Sequence, residues 1–578
     1  MNSQMLELES EDLEYAVDRQ RMNTSSITGR FLDRSLSELE LRRQTCWAPQ
    51  DVFHRTFLDI LGEARETYFG RKHGLAQVRT MADWKKATPI RCYPEYKPYI
   101  DKLVDGDTNV LTRSEPYALL RTSGSTGVPK LIPTTRHWRD AYRGRALYSQ
   151  WGLYFEKLGR ERALGASVLD LSWERASLSA NLDSRHQYPI SQRPAAVSSG
   201  DWLPPWYHES WFKGVETEDY RDSLYRKLRL LAGSDVAAIV ALNPSKIIGL
   251  AELLAENAAE LIEDIAQGTL RGRSLVAEPN PELAKRLAAA AAGSAKGLKL
   301  VDFWPGLGLT VSWNSASAGL YRHWLEDVTP GIAKLPFSST GTEGIITIPV
   351  DEHPSAGPLA VDMGLYEFVP VPESDDGSDV APDAETLNFD ELDVGATYNV
   401  VISQASGLYR YDLGDRYRVV DMVGKLPRLE FAERAGFGSS FTGEKLTESD
   451  IHEAVRRACG ESFSARQLFT CVPVWGTPPG YTVVLEWTGE IGLSQQTMAE
   501  QIEEQLQKLN IEYAEKRRTH RLTALELLTV RPGTFAVLEE KRRLAGASAS
   551  QLKHYWIQRN DDLLQRLQSA GMSSWVVS

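Results

Sequence analysis

An α/β fold in at least two domains is expected for this chain, on three grounds. Strand-like and helix-like segments alternate through most of the sequence, the pattern produced when helices cover sheets. At 578 residues the chain exceeds the size at which a single hydrophobic core usually divides. Late in the chain, "ERAGFGSSFTGEKLTESD" sets Gly436, Gly438 and Gly443 between two patterned regions. The boundary is placed there, with residues 1–435 as a large N-terminal domain and 436–578 as a small C-terminal α/β domain.

The elements follow in order. In "LLRTSGSTGVPKLIP", residues 119–133, apolar stretches bracket a loop of hydroxyls and glycines. "DVAAIVAL" reads as a buried strand, and "NPSKIIGLAELLAENAAELIEDIAQG" after it as one helix. Ser245 is expected to cap that helix, Ile247, Leu250, Leu254, Leu261 and Ile265 to share its buried face, and Gly268 to end it. Acidic "VPESDDGSDVAPDAET" reads as an exposed loop ahead of the strand "TYNVVIS". Past the boundary, Thr447 offers an N-cap to a helix. Strands "LFTCVPVW" and "YTVVLEW", a helix through "MAEQIEEQLQKLN", a strand "LTALELLTV" and a further helix complete the small domain. Trp202, Trp206, Tyr207 and Trp211 form an aromatic cluster that reads first as packing.

Composition narrows the functional classes. Lys and Arg number 65 against 78 Asp and Glu, a formal charge of −13, and no basic block tracks a nucleic-acid backbone. Nucleic acid is therefore not an expected partner. No apolar run approaches the roughly 20 residues that span a bilayer, and the acidic "MNSQMLELESEDLEY" lacks the order of a secretory signal. A cytoplasmic protein without a membrane partner is expected. Cys46, Cys92, Cys459 and Cys471 show no C-x-x-C spacing, so they are expected as reduced, buried thiols.

Four stretches can carry chemistry. The loop at 122–130 frees backbone N–H groups to converge on phosphate, but it lacks the G-x-x-x-x-G-K-[ST] pattern of the common nucleotide-binding loop. In "FSSTGTEGIITIP", Glu343 ends a second hydroxyl-glycine run, and a carboxylate there can hold Mg²⁺ between ATP phosphates. In "SGLYRYDLGDRYRVV", Asp415 in a tight turn can accept both hydroxyls of a ribose. In "RPGTFAVLEEKRRLAGASASQLKHYW", Lys553 follows a loop of small residues. Taken singly, each also reads as an ordinary turn or surface charge.

Their order resembles the adenylate-forming superfamily. "YPEYKPYIDKLVDGDTNVL", "NPSKIIGLAELL", "MGLYEFVPV", "GLYRYDLGDRYRV" and "RPGTF…GASASQLK" resemble, more narrowly, its acyl-acid amido synthetase branch, the Gretchen Hagen family, over residues 50–560. The resemblance implies an adenylate-forming N-terminal domain of sheets with flanking helices plus a β-barrel-like part, and a mobile C-terminal domain. It also implies an ATP-dependent ligase that adenylates a carboxylic acid and transfers the acyl group to an amine, with ATP as cosubstrate and Mg²⁺. By the same resemblance Thr122, Ser123, Ser125 and Thr126 receive the polyphosphate, while Lys130 closes the loop. Glu343, after Thr342, is the metal-associated glutamate. Asp415 is the ribose-binding aspartate, and Arg434 and Lys445 lie near the ribose and α-phosphate. Lys553 reaches the α-phosphate from the mobile domain. Ser315, in "VSWNSASAGLY", flanks adenine and the acyl group, and Tyr148 and Trp151 help choose the acid.

Two features depart from the plant members. The 434–449 segment is glycine-rich, and Asp412 stands where they usually carry a basic residue. Two other functions stay open: an acid-thiol ligase passing the acyl group to coenzyme A or a carrier protein, and a nucleotide-binding partner protein without catalysis.

Overall fold

A computed structural model describes residues 25–121, 130–171, 187–188, 215, 217, 219–242, 244–275, 277–295, 297–371, 380–434, 444, 446–460, 463, 468–476, 478–486, 494–518, 522–544, 554, 556–558 and 562–569. The chain divides into two compact units: Met1–Pro370, Val380–Leu413 and Tyr417–Phe431 in the first, Val371–Asp379, Gly414–Arg416 and Ala432–Ser578 in the second.

In the first unit, helices α1 (Ser25–Trp47) and α2 (Pro49–Ala64) precede an antiparallel pair, β1 (Pro116–Arg121) and β2 (Leu131–Thr135). Leu119 pairs with Pro133 and Leu120 with Ile132, so the hydroxyl-glycine loop springs from a closed ladder. Helix α3 (Gly144–Leu158) follows. A parallel sheet orders β3 (Ser167–Asp170), β4 (Val236–Val240), β5 (Leu309–Ser312) and β6 (Ala333–Pro336) side by side. Every residue of β4 is buried, as a continuous Val/Ala/Ile run requires when both faces of a parallel sheet are covered.

The segment after β4 forms two helices, α4 (Pro244–Glu256) and α5 (Ala258–Gln267), where one was expected. The break falls at Asn257, which leaves helical dihedrals at φ −106° and ψ 15°; its backbone N–H and its side-chain amide both donate to the Leu253 carbonyl, at 3.0 and 2.9 Å. Position 245 lies inside α4, whose first residue is Pro244, so Ser245 is not the cap; proline suits that first position because its missing N–H is not needed there. The five apolar residues named for this face are all buried, and Gly268, left-handed at φ +78°, ends α5.

A tight pair, β7 (Ser339–Thr340) and β8 (Ile345–Thr347), leads to a five-stranded sheet. Its strands are β9 (Gly357–Pro358), β10 (Leu365–Pro370), β11 (Thr397–Ser403), β12 (Tyr411–Val423) and β13 (Leu426–Arg434), in the order β9-β13-β12-β11-β10. A large core beneath this sheet includes Tyr366, Phe368, Val400, Ile402, Tyr409 and Val419.

In the second unit Thr447 caps α6 (Glu448–Cys459): its hydroxyl accepts from the Asp450 N–H at 3.1 Å, and the Asp450 carboxylate accepts from the Thr447 N–H at 3.2 Å. Strands β14 (Phe469–Val474) and β15 (Gly480–Glu486) pair antiparallel. Helix α7 (Gln495–Leu509) leads to β16 (Glu526–Val530), which pairs parallel with β15, and α8 (Thr534–Leu544) follows. Val472, Val484, Val530 and Phe535 close a small core.

All four cysteines are free thiols. Cys46, Cys459 and Cys471 are buried, but Cys92 is partly exposed, which corrects the expectation that all four are buried. Burial pushes the Cys46 and Cys459 thiols up to about 11. Among the described residues no helix is long and apolar enough to cross a membrane.

Candidate active site

Lys130 marks where the hydroxyl-glycine loop returns to the sheet. Its ammonium donates to the Tyr411 hydroxyl at 3.1 Å and lies 5.7 and 5.8 Å from the ring centroids of Tyr93 and Tyr411. The Tyr93 hydroxyl in turn accepts from the Leu131 N–H at 2.7 Å. Two tyrosines thus fix the exit of the loop, one of them the first residue of β12. Thr122, Ser123, Ser125 and Thr126 lie outside the described residues.

The T-E-G stretch forms the turn between β7 and β8. The Gly341 N–H donates to the Gly344 carbonyl at 2.8 Å, which closes a four-residue loop around Thr342 and Glu343. Both side chains are partly exposed. The Glu343 carboxylate folds back over the turn: its Oε2 lies 3.1 Å from where a β-carbon on Gly341 would stand. At the base of the turn the hydroxyls of Ser339 and Tyr417 meet at 2.5 Å. Strand β12 therefore reaches the stem of the hydroxyl-glycine loop through Tyr411 and the T-E-G pair through Tyr417.

A magnesium ion fits this donor set in one way. Among the described residues no group of three His, Cys, Asp or Glu side chains converges, so no cage of protein ligands is built. A single accessible carboxylate on a rigid turn suits a hard cation whose other ligands are phosphate oxygens and water.

Asp415 does not occupy a tight turn between strands. It sits within the thirteen-residue β12, after Gly414 at φ +69°, and the hairpin to β13 turns later, at Gly424 (φ +62°). A left-handed glycine inside a strand makes a local kink that re-aims the next side chain. Asp415 is partly exposed there and is grouped with the second unit. Asp412 is buried; its Oδ2 accepts from the Val380 N–H at 3.1 Å and from the Cys92 thiol at 3.9 Å.

Ser315 is buried, and its hydroxyl donates to the Ser355 carbonyl at 2.7 Å. The Asn314 amide donates to the Pro354 carbonyl at 3.0 Å, so the stretch after β5 is pinned to residues 354–355 at two points. Tyr148 and Trp151 are 6% and 3% exposed. Tyr148 packs 5.2 Å from Phe31 and Trp151 5.4 Å from Tyr154, within a cluster that also holds Phe155. Arg434 ends β13 with its side chain outside the described residues; Lys445, Lys553 and the Trp202, Trp206, Tyr207 and Trp211 cluster lie outside them altogether. Beside Lys445, the buried Glu444 accepts from the Tyr481 hydroxyl at 2.5 Å.

Sequence reasoning passed over Gln404, Trp138 and the Arg410–Glu367 pair. Arg410 lies inside "GLYRYDLGD", yet no local pattern signals an arginine at φ +50°.

The GH3 family N-terminal domain matches residues 39–334, the GH3 family central domain 357–434 and the GH3 family C-terminal domain 449–562. An indole-3-acetic acid-amido synthetase, GH3.8, of Oryza sativa subsp. indica is 25% identical over 552 residues, covering 87% of each chain. A jasmonoyl--L-amino acid synthetase, GH3.5, of Oryza sativa subsp. japonica is 23% identical over 573 residues, covering 90% of this chain and 94% of its own. Among solved structures, the GH3.15 acyl acid amido synthetase matches the fold with a TM-score of 0.73 at 22% identity, over 92% of this chain and 95% of its own. With one domain of the family covering more than half of the sequence and two others continuing it in order, this chain belongs to the GH3 family.

Proposed function

We propose that the protein is an adenylate-forming amide ligase: it activates a carboxylic acid with ATP and passes the acyl group to an amine, an amino acid or a related metabolite. The observation that carries this reading is strand β12, which ties the stem of the hydroxyl-glycine loop to the T-E-G turn through Tyr411 and Tyr417 and carries Asp415 between them.

In the first half-reaction the acid's carboxylate attacks the α-phosphate in line, pyrophosphate departs, and an acyl-adenylate forms. Thr122, Ser123, Ser125 and Thr126 receive the polyphosphate, Asp415 the ribose, and Arg434 and Lys445 the ribose and α-phosphate. Glu343 would hold a magnesium ion, which would supply charge neutralisation for the leaving pyrophosphate. Lys553, in a mobile domain of residues 436–578, offsets charge at the reacting centre once substrates are bound. Ser315 sits beside the adenine and acyl groups, with Tyr148 and Trp151 shaping the acyl end. In the second half-reaction the amine attacks the acyl carbonyl, loses a proton and expels AMP, with the protein contributing position and exclusion of water.

Carboxylate-dependent exchange of labelled pyrophosphate into ATP, screened over a panel of acids, tests the first half. Mass analysis of products formed with amines or with coenzyme A tests the second. Exchange followed by an amide is the expected result. No exchange with any acid, or a thioester as the sole product, would overturn it.

A further inference from the structure

Gln404 is fully buried at the end of β11, where four separated segments meet. The Trp138 indole N–H donates to its side-chain oxygen at 3.1 Å. An indole nitrogen can only donate, so this bond fixes which end of the amide faces Trp138 and sends the NH₂ the opposite way. That NH₂ completes no hydrogen bond. It points into space left by two glycines: β-carbons on Gly344 and Gly364 would stand 2.9 and 2.3 Å from Nε2. The backbone of Gln404 is held as well, its N–H donating to the Leu408 carbonyl at 2.7 Å and its carbonyl accepting from the Gly407 N–H at 3.1 Å.

Gly344 is the residue after Glu343. The side-chain amide thus touches the segment after the hydroxyl-glycine loop (Trp138), the T-E-G turn (Gly344) and the "MGLYEF" stretch (Gly364), while the backbone of the same residue holds the "GLYRYDLGD" loop at Leu408. Beyond the turn, the Tyr366 hydroxyl donates to the Ile345 carbonyl. A buried amide between two glycines has no room to swing, and through Gly344 it packs against the turn.

We propose that Gln404 is a positioning residue that holds the Gly341–Gly344 turn, and with it the Glu343 carboxylate, in the orientation that meets a phosphate-bound cation. The proposal rests on the adenylating reading of this site. Gln404 does not touch the cation; it acts through the turn.

The test is Mn²⁺ binding, read from the free-ion paramagnetic resonance signal, with the full-length protein saturated by a non-hydrolysable ATP analogue. Gln404→Met keeps the volume and removes the amide. The loss of a supporting contact behind a metal ligand is expected to weaken Mn²⁺ about tenfold or more, while affinity for the metal-free analogue stays within about twofold. Gly344→Ala is the second variant, carrying the test if Gln404→Met does not fold. Its backbone tolerates alanine, but the new β-carbon would meet Gln404 and the Ile402 Cδ1, 3.0 Å away, so the same selective loss is expected. Wild-type Mn²⁺ affinity in a folded Gln404→Met or Gly344→Ala protein, with Glu343→Gln impaired, would overturn the role of Gln404 and leave that of Glu343 standing. Wild-type affinity in Glu343→Gln would overturn both.

Discussion

Arg410 and Glu367 form a fully buried ion pair, Nη2 to Oε2 at 2.9 Å, with side chains 4% and 1% exposed. Three further guanidinium protons are placed too: Nε donates to Glu367 at 2.9 Å, and Nη1 to the Lys85 and Thr88 carbonyls at 2.9 and 2.7 Å. Such a pair gains little over a well-packed apolar one, but removing one partner strands a buried charge. Glu367→Ala is therefore expected to destabilise the first unit by about 3–5 kcal/mol. Arg410→Lys is not conservative here, because an ammonium cannot fill the fork. Chemical denaturation of both variants checks this; a shift under about 1 kcal/mol for Glu367→Ala would show that the pair is not buried as described.

Helices α1 and α3 meet at Gly152, where a β-carbon would stand 2.2 Å from the Ser35 carbonyl oxygen and 2.9 Å from the Leu39 Cβ. Intrinsic helix propensity favours alanine over glycine by about 1 kcal/mol. Overpacking costs about 1–3 kcal/mol, and the obstacle here is backbone, which cannot rotate aside. The clash wins, so Gly152→Ala should lower stability, with Gly62→Ala in α2, where nothing lies within 4 Å of the added carbon, as the stabilising control. Melting temperatures that rise in both variants would contradict the close approach.

How much of this was legible beforehand depended on whether the cause was local. The buried strand β4, the Thr447 cap and the Gly268 stop were readable because periodicity, side-chain oxygen chemistry and left-handed glycine act within a few residues. The division of one expected helix into α4 and α5 was not, since the apolar periodicity runs on through Asn257, whose φ of −106° departs from helical values. Asp415 was found as a residue but not in its setting, because Gly414 kinks a continuing strand where the sequence suggested a turn. Gln404 and Arg410 stayed hidden for another reason. Their partners Trp138 and Glu367 are 266 and 43 positions away, and only the folded chain brings them together.

The pairing of His137 with Asp59 gives a pH dependence of known sign. His137 Nε2 lies 2.7 Å from Asp59 Oδ2, and the Tyr142 hydroxyl donates to the same oxygen. The bond to Asp59 raises the His137 pKa above its ordinary value, against the opposing effect of burial. For Asp59, burial pushes the carboxyl up, but the bonds from His137 and Tyr142 outweigh it and leave the pKa lowered. The histidine contribution is then fully present below about pH 6.5 and is lost as pH rises through the folded pKa. The aspartate contribution is present above about pH 4 and is lost in acid. With side chains 31% and 40% exposed, screening keeps the pair to under about 1 kcal/mol. His137→Gln should flatten the fall in melting temperature between about pH 6 and 8. Parallel profiles for the two proteins would show that His137 does not drive it.

Helix α8 is anchored by a carboxylate from the neighbouring strand. Glu486, the last residue of β15 and 5% exposed, accepts from the Gly533 N–H at 2.5 Å and the Phe535 N–H at 2.9 Å, so it satisfies two donors at the start of the helix and meets the positive end of its dipole. Gly533, at φ +88°, admits the chain to that position, and Phe535 packs into the small core beneath. Glu486→Ala leaves both N–H groups unpaired, and the loss of a side-chain cap of this kind costs about 1–2 kcal/mol. Exchange of the α8 amides should therefore quicken about tenfold, measured by hydrogen–deuterium exchange with mass spectrometry, while α7 amides in the same unit change less. If Lys553 acts as proposed, loosening the helix that precedes its loop should also slow pyrophosphate exchange without raising the ATP requirement. Lys553→Ala sets the floor for that effect. A Glu486→Ala protein with faster α8 exchange and undiminished pyrophosphate exchange would separate the anchor from the chemistry, and would count against a role for α8 in presenting Lys553.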